Sequence, residues 1–211
     1  MKTAIVIGAT GMVGSALVQL LLEHRDYAHV KTFVRHSSNV KHPKLQERVV
    51  DFNQVAGWQH FLQGDVLFSC LGTTLKQAGS KDAQYQVDYT YQLEVALAAA
   101  ANKVPVYVLV SASGASINAA HFYLRMKGAL ETAILALPFL HTHILRPGVL
   151  EGARKQKRMG ELTFLKAMRF FNGIGMFKKF RPVHVRKLAR VMIGIAGNSA
   201  AKVKVYEAAN L

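Results

Sequence analysis

A chain of 211 residues is long enough to bury one sizeable core and too short for several domains, so a single domain spanning 1–211 is expected. Its one cysteine, Cys70, excludes an internal disulfide framework and fits a reducing compartment, and no apolar run is long enough to span a bilayer. Twenty-seven Lys and Arg against 12 Asp and Glu leave a net charge of +15, which favours acidic partners such as nucleotides.

Ala4 to Ile7 is a short apolar run rich in β-branched residues, as a strand buried on both faces requires. Gly8, Gly11 and Gly14 follow at a spacing of three, with Thr10, Met12 and Val13 between them. Leu17, Val18, Leu20, Leu21 and Leu22 then set a helical period. A secretory leader is excluded, because the glycines interrupt its apolar region and no small-x-small cleavage site follows. Strand, glycine turn and helix start together predict a phosphate cradle. Glycines let the backbone approach a pyrophosphate, and the first turn of a helix offers free N–H groups and a partial positive charge. The spacing is G-x-x-G-x-x-G. It differs from the standard dinucleotide fingerprint and resembles the form found in extended and atypical short-chain dehydrogenase/reductases.

The pattern then alternates. Strands are predicted at 29–35, 48–52, 65–70, 105–111 and 141–145, with helices at 54–62, 80–102 and 120–137. Ser80 and Asp82 are the expected caps of the long middle helix. Such alternation predicts an α/β fold: a doubly wound, Rossmann-type parallel sheet with helices on both faces and a ligand crevice at the strand C-termini. After Gly148 the composition changes. Residues 150–190 are expected to form a small substrate-side cap, with helices at 162–171 and 183–196 around a break at 172–175, before a last strand at 202–206. Twelve Lys and Arg between 151 and 190 face only Glu151 and Glu161. That segment reads as a solvated face or an anion funnel, and its interleaved phenylalanines as cap core, so nucleic acid is not the expected partner.

Several residues carry chemistry in this frame. The second strand ends at Arg35-His36-Ser37 with no carboxylate, so the hold on a ribose 2′-OH that marks NAD is missing. Arg35 offers a fork of donors to a 2′-phosphate and Ser37 a hydroxyl, which favours NADP(H). Asp51 is placed either at the adenine or in a turn, and the small segment around Leu71 and Gly72 lets the chain pass close to the cofactor. Cys70 reads as a small buried hydrophobe. Tyr123 and Lys127 are four apart and share a helix face. An ammonium beside a phenol is expected to lower its pKa toward neutrality and make it an acid/base. Ser111 or Ser113, at the end of the fifth strand, is placed to hold a substrate carbonyl; the sequence leaves both open. The histidines show no ligand spacing, and no metal is expected.

Cys70-Leu71-Gly72-Thr73-Thr74, Tyr123-Leu124-x-x-Lys127-Gly128 and Leu145-Arg146-Pro147-Gly148-Val149-Leu150 resemble the Tat-interacting-protein-2-like oxidoreductases, an atypical branch of the short-chain dehydrogenase/reductases. The resemblance implies an NADPH-binding fold with Tyr123, Lys127 and a serine in catalytic positions. It also implies that Arg146, Pro147, Gly148 and Val149 lie beside the nicotinamide. Many extended members carry asparagine where Val87-Asp88 stands, which leaves the role of that position open. The expectation is a cytoplasmic NADP(H)-dependent oxidoreductase, monomer or homodimer, reducing a small carbonyl substrate. The alternative is a non-catalytic NADP(H) sensor that binds a protein partner.

Overall fold

A computed structural model describes residues 1–152, 182–197 and 201–211. Seven parallel strands form the main sheet: β1 (Lys2–Ile7), β2 (Tyr27–Val34), β3 (Leu45–Val49), β4 (Val66–Ser69), β5 (Val106–Val110), β6 (His141–Arg146) and, last in the chain, β9 (Val203–Glu207). Their spatial order is β3-β2-β1-β4-β5-β6-β9, so the winding reverses between β1 and β4. The flanking helices are α1 (Met12–Glu23), α2 (Leu75–Ala78), α3 (Lys81–Tyr85), α4 (Tyr91–Ala101), α5 (Phe122–Leu135) and α6 (Val185–Gly197). A small separate sheet pairs β7 (Leu150–Glu151) with β8 (Val183–His184), which the sequence did not announce.

The alternating faces of the strands generate two cores. Ala4 and Val6 of β1 point to a layer filled by α1 and α6, through Leu17, Leu21, Leu188 and Met192. Ile5 and Ile7 point to the other layer, with Phe33, Trp58, Val95 and Leu130. A strand buried on both sides has no polar face to alternate with, hence the unbroken apolar run at 4–7. Residues 185–190, expected within the cap, form the first half of α6, and Val185, Leu188 and Ala189 are buried in the layer shared with α1. Residues 150–151 and 183–184 of the expected cap form the β7–β8 pair, and its middle, including the helix at 162–171 and the break at 172–175, lies in 153–181, outside the described residues.

Two expected helices are not regular. Residues 54–62 form short 3₁₀ turns, Phe52–Gly57 and Gln59–Phe61, interrupted at Trp58. The Asp51 carboxylate accepts from the Asn53 N–H at 2.9 Å and starts the first turn, which ends β3 three residues earlier than its hydropathy suggests. The stretch 80–102 is α3, a π-helical turn over Gln86–Thr90, and α4. Ser80 caps α3 as expected, accepting from the Ala83 N–H at 3.1 Å.

Candidate active site

The crevice opens at the switch point, above the C-terminal ends of β1 and β4. Gly8 turns the chain out of β1 with φ +76°, a left-handed conformation that disfavours any side chain. A Cβ there would lie 2.4 Å from the Cys70 carbonyl, and one on Gly14 would lie 2.1 Å from the Gly8 oxygen. The loop thus packs backbone on backbone against the end of β4, and α1 starts at Gly11 with no side-chain cap. Missing Cβ atoms and an uncapped helix start suit a pyrophosphate. Thr10 is exposed at the mouth, while Val13 and Gly14 are buried.

Arg35 stands just beyond β2, exposed, on a cavity of about 340 Å³ that it shares with Gly72, Thr73, Gln77, Ala83 and Val87. It therefore faces the loop after β4 across that cavity. Ser37 is less available than expected. Its hydroxyl donates to Glu47 Oε1 of β3 at 2.7 Å, and Glu47 also accepts from Ser38. Desolvation works against the Glu47 carboxylate, but these hydrogen bonds hold its pKa below the usual range. Asp51 takes the turn role of its two alternatives, binding the Asn53 amide and side chain.

Inside the crevice, Tyr123 and Lys127 on α5 meet Asp88 from the π-helical turn. Lys127 Nζ lies 3.4 Å from Asp88 Oδ1, with side chains only 2 % and 1 % exposed. Asp88 Oδ2 accepts from the Thr73 N–H at 2.8 Å, while Oδ1 makes no hydrogen bond. Below them, the Gln92 side chain donates to the Asp88 carbonyl and accepts from the Ser69 hydroxyl. Burial raises the Asp88 pKa, opposed by Lys127 and the Thr73 amide. The expected lowering of the Tyr123 pKa does not occur. Burial raises it; Lys127 pulls against burial and the Asp88 charge adds to it. Sequence spacing shows the lysine but neither the desolvation nor the carboxylate that offsets it. Cys70, expected as a small buried hydrophobe, is only partly buried against the core, its thiol pushed up to about 12 by desolvation with Lys127 opposing.

The next wall, one turn further along α5, is held by a second carboxylate. Glu131 accepts from the Ser111 hydroxyl at 2.5 Å and from Arg146 through Nε at 3.0 Å and Nη2 at 2.5 Å. Arg146 Nη1 continues to Glu207 of β9 at 2.9 Å. The side chain of Arg146, expected beside the nicotinamide, is thus turned to this clamp. Ser111, one of the two candidate serines, is buried and engaged by Glu131. Pro147 stays at the crevice by its backbone, its carbonyl accepting from the Ser113 N–H at 2.9 Å, with Gly148 and Val149 partly exposed after it. Gly128 lets the Ser116–Ile117 backbone pass over α5, since a Cβ there would lie 2.3 Å from the Ser116 carbonyl carbon. Glu131 was missed, although Tyr123, Lys127 and Glu131 recur at intervals of four along one helix face.

The NAD(P)H-binding family model matches residues 8–166. The mitochondrial protein FMP52 of Eremothecium gossypii is 34 % identical over 217 residues, covering 99 % of this chain and 95 % of that protein. FMP52 of Candida glabrata, also named mitochondrial, is 39 % identical over 75 % of this chain and 68 % of its own length. These relatives overturn the expectation of a cytoplasmic protein, which rested on a single cysteine and no visible targeting pattern. Among solved structures, the Bordetella bronchiseptica enzyme WbmH in complex with NAD⁺ superposes with a TM-score of 0.74 at 17 % identity, over 98 % of this chain and 75 % of WbmH. MoeE5 in complex with UDP-glucose and NAD gives 0.75 at 18 %, over 96 % and 74 %.

Proposed function

The chain belongs to the NAD(P)H-binding family, and from that premise we propose that it is an NADP(H)-dependent oxidoreductase acting on a small carbonyl substrate. One observation carries this reading: the buried Lys127–Asp88 pair on the helix that bears the partly exposed Tyr123, joined to the glycine cradle by the Cys70–Thr73 loop. When bound, NADPH supplies a hydride to the carbonyl carbon. The Gly8–Gly14 backbone and the start of α1 hold the pyrophosphate, with Leu71 and Gly72 passing close to the ribose. Arg35 takes the 2′-phosphate, and this assignment rests on its place in the cavity beside Gly72 and Thr73. Pro147, Gly148 and Val149 border the nicotinamide.

The Tyr123 hydroxyl gives its proton to the oxygen of the carbonyl as that oxygen becomes an alkoxide. Burial keeps the phenol protonated but weakens it as an acid, and the Lys127 charge works against that loss. Lys127 steadies the phenolate left behind. Of the two serines, Ser113 orients the carbonyl, since the Ser111 hydroxyl already donates its hydrogen bond to Glu131.

The test is NADPH oxidation, with NADH alongside, against a panel of aldehydes, ketones and quinones, comparing wild type with Tyr123→Phe. Turnover is expected with NADPH, falling by about 10²-fold or more in Tyr123→Phe while the Kd for NADPH holds. Tight NADPH binding with no turnover on any substrate would instead identify a sensor. Equal rates in the two proteins would remove Tyr123 from the mechanism.

A further inference from the structure

Glu47 of β3 stands opposite Thr32 of β2 in the sheet register. Its neighbour Arg48 turns to the other face, with its guanidinium 3.6 Å from the centre of the Phe61 ring. The Glu47 carboxylate gathers the turn that follows β2. Oε1 accepts from the Ser37 hydroxyl at 2.7 Å and from the Ser38 N–H at 3.0 Å; Oε2 accepts from the same N–H at 3.2 Å and from the Ser38 hydroxyl. Each serine oxygen in turn accepts from the amide two residues on, Asn39 N–H to Ser37 at 3.2 Å and Val40 N–H to Ser38 at 3.3 Å. A hydroxyl has one proton to donate, so both serine protons are already committed. Among the described residues, no Lys, Arg or His forms an ion pair with Glu47, and the donors of this turn are what meet its charge. Two hydroxyls and an amide around a carboxylate are also the donors that an anion from outside would use. Arg35 is the one residue of 35–38 that lines the cavity beside Gly72 and Thr73.

We infer that Glu47 is a specificity-determining residue that works against the 2′-phosphate of the cofactor: it acts as a resident anion on the Ser37 and Ser38 donors and leaves Arg35 to hold the phosphate without them. The inference rests on the reading of Arg35 as the 2′-phosphate contact. With Glu47 in place, the turn can release a hydroxyl to a phosphate only by breaking a hydrogen bond to a carboxylate. The carboxylate also places a negative charge on the turn that begins two residues after Arg35, and like charges on one short turn oppose each other. An uncharged ribose 2′-OH meets neither obstacle. The choice between the two nicotinamide cofactors is thus set by two strands, with Arg35 after β2 favouring the phosphate and Glu47 on β3 restraining that preference.

The test titrates the whole chain with two fragments that differ only in the group at issue, 2′,5′-ADP and 5′-AMP, by isothermal titration calorimetry, so it needs no turnover. In Glu47→Ala the Kd for 2′,5′-ADP is expected to fall about fivefold or more, while that for 5′-AMP changes less than about twofold. Glu47→Gln, which keeps the size and removes the charge, is expected to move the same way by less, and it replaces Glu47→Ala should that variant not fold. Ser37→Ala is expected to weaken 2′,5′-ADP binding about threefold more in the Glu47→Ala background than beside an intact Glu47, because only there is the hydroxyl free to donate. A Kd for 2′,5′-ADP that holds or rises in both Glu47 variants would overturn the inference, and so would equal effects of Ser37→Ala in the two backgrounds. Equal binding of the two fragments by wild type, with a gain for 2′,5′-ADP in Glu47→Ala, would overturn NADP(H) as the preferred cofactor and uphold the inference. A wild type that prefers 2′,5′-ADP and is unmoved by either Glu47 variant would do the reverse.

Discussion

Two walls meet along one face of α5, each built on a buried carboxylate, and they differ in how completely that carboxylate is satisfied. Glu131 accepts three hydrogen bonds, one from Ser111 and two from Arg146, and the arginine passes its remaining hold to Glu207. Asp88 has one hydrogen bond from a backbone amide and an ammonium that stands off at 3.4 Å. A saturated network joins elements and resists movement: β5, α5, β6 and β9 meet at Glu131. In the unsaturated pair the Lys127 charge also acts on Tyr123, opposing the burial that raises its pKa. The comparison separates architecture from chemistry among residues that look alike in the sequence.

Breaking the saturated wall is expected to give the largest effect on stability. Glu131→Ala leaves Arg146 half-compensated and Ser111 without its acceptor, and urea denaturation should read a loss of about 3 kcal/mol. A loss below about 1 kcal/mol would mean that the two walls are not different in kind.

Next comes alkaline pH, which tests the desolvated neutral groups. Burial pushes the Cys70 thiol up from 9.0 to about 12 and the Tyr27 phenol from 10.0 to about 12, and raises Tyr123 as well. A folded pKa above the unfolded one means that the folded state holds protons the unfolded chain has released. This stability is present in full below pH 9 and is lost as pH rises from 9 toward 12. Urea midpoints should decline from about pH 9 in wild type and from about pH 10 in Cys70→Ala, where only the tyrosines remain. An unchanged onset in Cys70→Ala would show that the thiol is not desolvated.

The smallest effect is expected from removing both charges of the unsaturated wall. Neutral side chains replace a loosely paired buried ion pair at little cost, so Asp88→Asn/Lys127→Met should unfold within about 1 kcal/mol of wild type. If it falls by as much as Glu131→Ala, the Asp88 pair is structural after all.

Much of this was legible in the sequence because it is local. The glycine spacing marks a close backbone approach wherever it follows a buried strand, and Gly8 and Gly14 each leave no room for a Cβ. The run 4–7 and the alternation of strands with helices led to a doubly wound parallel sheet, and Tyr123 and Lys127 share a helix face by counting alone. What escaped was long-range or concerned solvent. Glu47 reaching the Ser37 loop spans ten residues, and Glu207 meeting Arg146 spans 61. The direction of the Tyr123 shift depends on burial, which no spacing reveals. The inward placement of Asp88, whose role the sequence left open, escaped for a subtler reason. The stretch 80–102 reads as one helix, and in a regular helix the count of faces from Ser80 onward does not allow for a wider turn at 86–90.

That wider turn can be regarded as a stored insertion. A helix advances about 100° per residue, so one additional residue in a turn resets the phase of everything beyond it. The buried residues of α4, Val95, Ala96 and Ala99, keep their places in the core only while the extra residue is accommodated. Substitutions at 86, 87 or 90 leave that phase alone. Deletion of any one of them would let the backbone relax to a regular helix and carry Asp88 away from α5 or rotate α4 out of its layer. The position is thus more sensitive to the length of the chain than to its composition, and variation in this segment is expected to exchange side chains while preserving the count.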